Sequence, residues 1–317
     1  MIDGIINVYK PSDMTSHDVV AIMRKLLGIK KIGHTGTLDP MAVGVLPVCI
    51  GKATRVMEYL DMDLKMYICT LRLGVITDTQ DIWGQIIEER DCSHITKEDV
   101  LNMTENFRGI IEQRPPMYSA LKVNGKKLYE YAREGKSVDV KLRKIYIDNL
   151  TIDNFDGDAG EVTFSVTCSK GTYVRTICQD IGEALGCGAT MIKLERAASG
   201  VFTKAESVNL EDLREMTREE ILKFVQNPDI ALENFGVAIL DEFDTKIFTN
   251  GGRIPASRWE KEKAPKYESE DFYLPIRDEY KNAYNVYGEI NGQKCFLGVG
   301  FVADKGLLKA DKIFYAR

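Results

Sequence analysis

The sequence predicts an α+β protein, a mixed sheet with flanking helices followed by a small β-rich C-terminal part, and three observations carry this. Strand-like alternation recurs through the first two thirds of the chain, interrupted by helical periods without a regular βαβ rhythm, which disfavours a doubly wound parallel sheet. After about Phe235 the texture changes to short apolar runs punctuated by glycine. The 317 residues also exceed the usual span of one core, so a large domain and a smaller one are expected, at 1–235 and 236–317.

The elements follow in order. Residues 4–8 form a short apolar strand, and Ser16 is expected to cap a helix whose apolar positions Val19, Ile22, Met23 and Leu26 keep helical spacing until Gly28 ends it. A glycine-rich loop, GHTGTLDPMAVGVLP, occupies 33–47, and a second helix is expected over 53–60. KMYICTLRLGV then alternates as a strand, with Tyr67, Cys69, Leu71 and Leu73 on one face. The turn-like TDTQDIWG and the strand GQIIEER follow, and Thr96 with Asp99 opens a helix as a capping box. Strands are expected at MYSALKV, KIYIDNLTI and EVTFSVTC, then a helix over 174–185. A capped helix over 217–225 is broken by Asn227-Pro228. The C-terminal strands are VAILDEF, KIFTNGGRI, NVYGEI, KCFLGVGFV and DKIFY.

Composition excludes several classes. With 44% hydrophobic and 28% charged residues the chain is an ordinary globular protein rather than a disordered or fibrous one. MIDGIINVYKP lacks a basic leader region and the charge-free stretch 40–51 is too short to cross a bilayer, so a cytoplasmic, membrane-free protein is expected. Seven scattered cysteines without a C-x-x-C pair suit reduced thiols, and His17, His34 and His94 stand too far apart for a helical metal motif. No metal is expected.

The net charge of −6 conceals a polarity. Residues 108–144 carry ten Lys and Arg against four acids, interleaved with Tyr118, Tyr129 and Tyr131, whereas 229–279 carries twelve acids against seven bases. Basic residues mixed with aromatics suit RNA, although composition alone reads equally as a solvated charged face.

The loop at 33–47 poses the chemical question, because one acid, Asp39, sits in it between leucine and proline. A phosphate-binding P-loop would need glycine at 46 and Ser or Thr at 53, and the chain has Leu46 and Ala53. On its own, Asp39 reads as a turn residue before proline.

Five blocks, in order, change that reading. GIINVYKPSDMTSHDVV, GHTGTLDPMAVGVLPVCIGKATR, KMYICTLRLGVITDTQDIWG, QRPPMYSALKVNGKKLYEYAREG and CSKGTYVRTICQDIG resemble the signatures of the bacterial tRNA pseudouridine synthase B family. The resemblance implies a pseudouridine-synthase-type, mainly antiparallel sheet and a PUA-like RNA-binding C-terminal domain. It implies isomerisation of the tRNA T-arm uridine conventionally numbered 55, by base flipping, without cofactor or metal. Asp39 would be the catalytic carboxylate, Arg175 its partner and Tyr67 the residue against the flipped base. His34 would help extract the nucleotide, Asp81 would meet displaced nucleotides, and Tyr173 and Leu194 would line the pocket. Residues 108–146 would close over the T stem-loop of tRNA, by a monomer with no obligate protein partner. Thr190 and Glu195 depart from the pattern, which more often has a histidine or bulky residue and an arginine there. Two alternatives stand beside this reading: a guide-dependent synthase of a ribonucleoprotein, and a tRNA-folding chaperone without catalysis.

Overall fold

A computed structural model describes residues 2–60, 63–266 and 277–315. They fall into two compact units, one of Met1–Asp39, Val45–Met62 and Gly200–Arg317, the other of Pro40–Gly44 and Asp63–Ser199. Helices and mainly antiparallel sheets are present in both, which is the α+β class expected of the chain. Residues 267–276 of the acidic 229–279 stretch lie outside the described residues.

In the first unit the strand Gly4–Lys10 lies between Val208–Asn209 and Val43–Ile50, and Ile32–His34 pairs antiparallel with the latter. Helix Ser16–Leu27 buries Val19, Val20, Met23 and Leu27 in a core with Ile6, Val8, Leu46, Val48 and Ile50. The helix cap is Thr15, in a reciprocal box with Asp18, one residue before the expected Ser16. Ser16 is thereby released to bond elsewhere. Gly28 ends the helix in the left-handed region, as its sequence position implies.

The helix expected at 53–60 is a 3-10 helix, Gly51–Tyr59. Its buried residues Ala53, Val56 and Tyr59 recur every third position, which is the 3-10 period and not the α period. This helix nucleates the second core of the unit, where Tyr59, Phe235 and Tyr280 meet ring to ring at 5.4 to 6.4 Å with Ala231, Leu232, Val299 and Phe314. Polar bonds frame the same contact: Tyr280 Oη donates to the Glu58 carbonyl at 3.0 Å, Tyr59 Oη donates to Asp311, and Lys312 pairs with Glu58 at 3.1 Å.

The β-rich C-terminal part is a six-stranded sheet in the order Arg253–Ile254, Leu307–Ile313, Gln293–Ala303, Ala283–Ile290, Gly236–Leu240, Glu260–Lys263. The strand expected across KIFTNGGRI begins instead as the end of a helix, Glu242–Thr249, because Asp241 accepts from the Asp244 amide as a cap and Asp244, Thr245 and Phe248 turn one helical face inward. Only Arg253–Ile254 of that run is strand. The capped helix expected over 217–225 is confined to Arg218–Leu222.

The second unit is an antiparallel sheet ordered Ala189–Ser199, Lys65–Leu73, Glu161–Cys168, Arg143–Asp156, Gly109–Gln113. Helix Val174–Ala184 packs Ile177, Cys178 and Ile181 into its interior. Helix Lys97–Met103 starts at the expected Thr96–Asp99 box. MYSALKV, expected as a strand, is extended only at Lys122–Val123. Its backbone bonds back to a neighbouring helix instead: the Ser119 and Leu121 carbonyls accept from Tyr129 and Leu128. Pro115-Pro116 before it supply no amide donors for a ladder.

The aromatic contact in the first unit generates a prediction. Phe235→Ala removes the ring at the centre of the Tyr59–Tyr280 cluster and is expected to cost about 3–5 kcal/mol of stability. Urea unfolding followed by tryptophan emission measures it, and a loss below ~1 kcal/mol would mean this cluster is not a working core.

Candidate active site

The loop that carries Asp39 joins the antiparallel strands Ile32–His34 and Val43–Ile50. Immediately before the acid, Leu38 is buried and its backbone is gripped by one side chain: the Leu38 amide donates to Ser16 Oγ at 2.8 Å, and that hydroxyl faces the Leu38 carbonyl at 3.2 Å. Asp39 is half-buried. His34 packs edge-on against His17, with ring centroids 5.4 Å apart.

On the far side of the loop, Val43 and Gly44 pair in parallel with Glu195 and Arg196. Gly44 has φ 114°, and a Cβ there would lie 2.3 Å from the Arg196 carbonyl oxygen. Only glycine permits this approach.

Arg196 is opposite Tyr67, and Leu194 is opposite Cys69, across the antiparallel pair of Ala189–Ser199 and Lys65–Leu73. Cross-strand partners and residues two apart share a sheet face, so Tyr67, Cys69, Leu194 and Arg196 lie on one face. Tyr67 and Leu194 are each 8% exposed and Arg196 only 1%. The strand alternation read from KMYICTLRLGV predicted the inward face of Tyr67. Cys69 Sγ lies 3.4 Å from Cys178 Sγ, and burial pushes the Cys69 thiol well up.

Arg175 stands on the first turn of helix Val174–Ala184, 5% exposed. Its Nη1 donates to Asp81 Oδ2 at 3.2 Å and to the Thr79 carbonyl at 3.0 Å, while Nη2 donates to the Tyr118 carbonyl at 3.1 Å. Asp81 also accepts from Thr79 Oγ1 and from the Trp83 amide, and it is 8% exposed. Arg175, Asp81 and Tyr173 are thus brought to one region of the second unit, with Tyr173 clamped through its backbone: its amide donates to Gln113 Oε1 at 2.8 Å and its carbonyl accepts from Gln113 Nε2 at 3.1 Å. Removing one partner of a buried ion pair of this kind costs about 3–5 kcal/mol. Thr190, a departure from the family pattern, is fully buried and meets the Thr77 hydroxyl at 2.9 Å, so it braces the same turn.

Sequence reasoning missed three residues here. Ser16 was read as a cap and instead holds the Asp39 loop. Arg196 and Lys65 went unremarked, although each stands two residues from a singled-out position and so shares its face. Lys65 is buried, and its pKa falls from the ordinary 10.5 to about 8, mainly through loss of hydration, against a raising influence of Asp63 and with Arg196 as a further lowering charge.

The basic segment is built as a hairpin, Lys122–Val123 with Lys126–Lys127, running into helix Leu128–Arg133. Lys126 lies over the Tyr131 ring at 4.8 Å, and Lys127 and Arg133 each lie 5.3 Å from the Tyr129 ring. Glu134 takes up Lys126 and Lys136, while Lys122, Lys141, Arg143 and Lys144 are exposed. No group of three or more His, Cys, Asp or Glu among the described residues is arranged to hold a metal ion.

Residues 24–174 match the family model for the TruB family pseudouridylate synthase N-terminal domain, and 175–233 that for the tRNA pseudouridylate synthase B C-terminal domain. The tRNA pseudouridine synthase B of Clostridium perfringens strain ATCC 13124 is 45% identical over 314 residues, 98% of each chain. The chain belongs to the TruB family of pseudouridylate synthases. The tRNA pseudouridine synthase B of Clostridioides difficile is 42% identical over 316 residues, covering 98% of this chain and 99% of that one. Among solved structures, a chain of a Cbf5-Nop10-Gar1 complex is similar with a TM-score of 0.73 at 25% identity, over 99% of this chain and 85% of that one. The pseudouridine-synthase fold expected from the motifs is therefore the fold observed. Within the TruB family match, His34, Asp39, Tyr67, Asp81 and Tyr173 fall in the first segment and Arg175 and Leu194 in the second.

Lys65 makes stability depend on pH in a defined window. The unfolded chain keeps this proton up to about pH 10.4, whereas the folded protein releases it near pH 8. Between those values the unfolded state binds more protons, so the unfolding free energy rises with pH. Lys65→Met is expected to exceed the wild type in stability at pH 7, with the advantage shrinking between pH 8 and 10 in urea titrations. Parallel pH profiles for the two proteins would exclude Lys65 as the group responsible.

Proposed function

We propose that this chain is a tRNA pseudouridine synthase that isomerises the T-arm uridine conventionally numbered 55, acting without a guide RNA. The observation that carries the reading is 45% identity over 98% of the chain to a relative named tRNA pseudouridine synthase B. The guide-dependent alternative rests on a likeness of 25% identity to Cbf5, and the nearer kinship is to the tRNA enzymes.

In the reaction the N1–C1′ bond of uridine breaks, the uracil turns, C5 bonds to C1′, the C5 proton leaves to solvent and N1, freed from the sugar, takes up a proton in its place. Atoms and electrons balance within the nucleotide, so the demand on the protein is a positioned carboxylate and a pocket that retains the free base. We assign the carboxylate to Asp39, the face against the base to Tyr67 with Leu194 as an apolar wall, and the holding of Asp39 in its ionised form to Arg175. His34 acts in extraction of the nucleotide, and Asp81 and Tyr173 meet the displaced loop. What supports this assignment is that His34, Asp39, Tyr67, Asp81, Tyr173 and Arg175 lie in the motif blocks, together with the pinning of Leu38 by Ser16 and the burial of Tyr67, Leu194 and Arg175.

The basic segment 108–146 supplies phosphate contacts to the T stem-loop, with Lys122, Lys141, Arg143 and Lys144 exposed for them. Residues 1–235 form the catalytic domain and 236–317 a PUA-like RNA-binding domain in this reading. The enzyme works as a monomer in the cytoplasm with tRNA as its partner; no helix among the described residues is long and apolar enough to cross a membrane.

Tritium release from C5-labelled uridine in an unmodified tRNA transcript tests the reaction. Wild-type protein is expected to release it with no added RNA, and Asp39→Asn to lose at least 1000-fold in rate while still binding tRNA; equal rates in the two would remove Asp39 from the chemistry. Binding is a separate matter. tRNA affinity is expected to fall steeply with salt, and the triple change Lys122→Gln, Lys141→Gln and Lys144→Gln to reduce the log–log slope by about two to three. An unchanged slope would place the phosphate contacts elsewhere.

A further inference from the structure

We propose that Trp83 is a stacking platform for an unpaired nucleobase of the bound tRNA loop, a substrate contact of this chain beyond the residues assigned above; the inference rests on the tRNA reading of the preceding subsection. Trp83 is 55% exposed, and Ile82, Ile86 and Ile87 beside it are exposed as well, on the Val75–Thr77 and Ile86–Glu89 hairpin and its turn. Isolated apolar side chains on a surface call for no explanation, but four large ones on a single turn and strand do.

The turn that presents them is stiff. Thr77 Oγ1 donates to the Asp81 carbonyl at 2.8 Å, Thr79 Oγ1 to Asp81 Oδ1 at 2.8 Å, and the Trp83 amide to Asp81 Oδ1 at 3.1 Å. The Gly84 amide closes on the Asp81 carbonyl and the Ile82 amide on the Met191 carbonyl. An indole on such a backbone is a rigid aromatic surface that loses little conformational entropy on binding.

Its neighbourhood selects RNA as the occupant. The guanidinium of Arg175 that holds Asp81 and the Thr79 carbonyl also holds the Tyr118 carbonyl, so the turn is tied directly into the basic segment 108–144, where bases exceed acids by six. An exposed aromatic ring on a turn tied to a basic, tyrosine-bearing segment is the combination that suits single-stranded nucleic acid, with the ring taking a base and the cations of the segment the backbone. Base flipping leaves the target nucleotide's neighbours without their stacking partners, and Trp83 offers one of them a replacement.

The chain contains two tryptophans, which makes the test spectroscopic. Trp259 is partly buried in the C-terminal sheet, against Tyr284 and bonded to the Gly306 carbonyl, so Trp259→Phe leaves Trp83 as the single reporter. A T stem-loop RNA added to this protein is expected to quench Trp83 emission strongly. Trp83→Ala is expected to raise Kd for that RNA about tenfold, with the loss falling on KM more than on kcat, and Trp83→Phe to restore most of it. Tight RNA binding with Trp83 emission unchanged, or wild-type affinity in Trp83→Ala, overturns the proposal. So does self-association of the wild type that Trp83→Ala abolishes while RNA binding stays the same, which would assign the patch to a protein contact. Tritium release separates the two readings: release without quenching sinks the stacking alone, and quenching without release sinks the reaction while the stacking stands.

Discussion

The Arg175 guanidinium is the interaction on which the arrangement around the Asp81 turn of the second unit depends. It is almost wholly removed from water, and it donates to Asp81 and to the carbonyls of Thr79 and Tyr118. One planar group therefore joins a helix start, a tight turn and the beginning of the basic segment. A lysine would carry the charge but not the fork, and could not satisfy three acceptors fixed on two different segments. Desolvating an arginine is costly, and the cost is offset here in part because Asp81 is itself held by Thr79 and the Trp83 amide, and its turn by the Thr77–Thr190 pair.

A second constraint is steric. The Asp39 loop is fixed at both ends by the absence or smallness of a side chain. Before the acid, a serine at the first helical position reaches the Leu38 backbone because Thr15 has taken the capping role. After it, Gly44 lets the chain approach the Arg196 backbone more closely than any Cβ would permit. Both devices use local chemistry to hold a segment that has no regular structure of its own.

Much of this was legible in advance, and the failures have identifiable causes. Period-2 alternation exposed the Tyr67 strand and its inward face, and the Thr96–Asp99 pair marked a helix start to the residue. The Gly51–Tyr59 segment was misread because a period of three resembles one of 3.6 over nine residues. KIFTNGGRI looked like a strand because its β-forming residues outweighed, in a short window, the Asp241 cap that starts a helix before it. MYSALKV failed for another reason, since its backbone finds partners in a later helix that no local pattern announces. At the site, Arg196 and Lys65 escaped notice because a charged residue in a strand reads as solvent-facing until its cross-strand neighbours are known.

The sequence by itself determined the family and the α+β class, because these reside in ordered motifs and in periods that a linear chain displays. Tertiary structure decided the partners: that Arg175 is bonded to Asp81, that Tyr67 lies opposite Arg196, and that Trp83 is left in solvent on a turn tied through Arg175 to the Tyr118 carbonyl. The physical reason is that register, burial and side-chain pairing are relations between segments distant in sequence. They come into existence only when folding removes both from water and makes each satisfy the other.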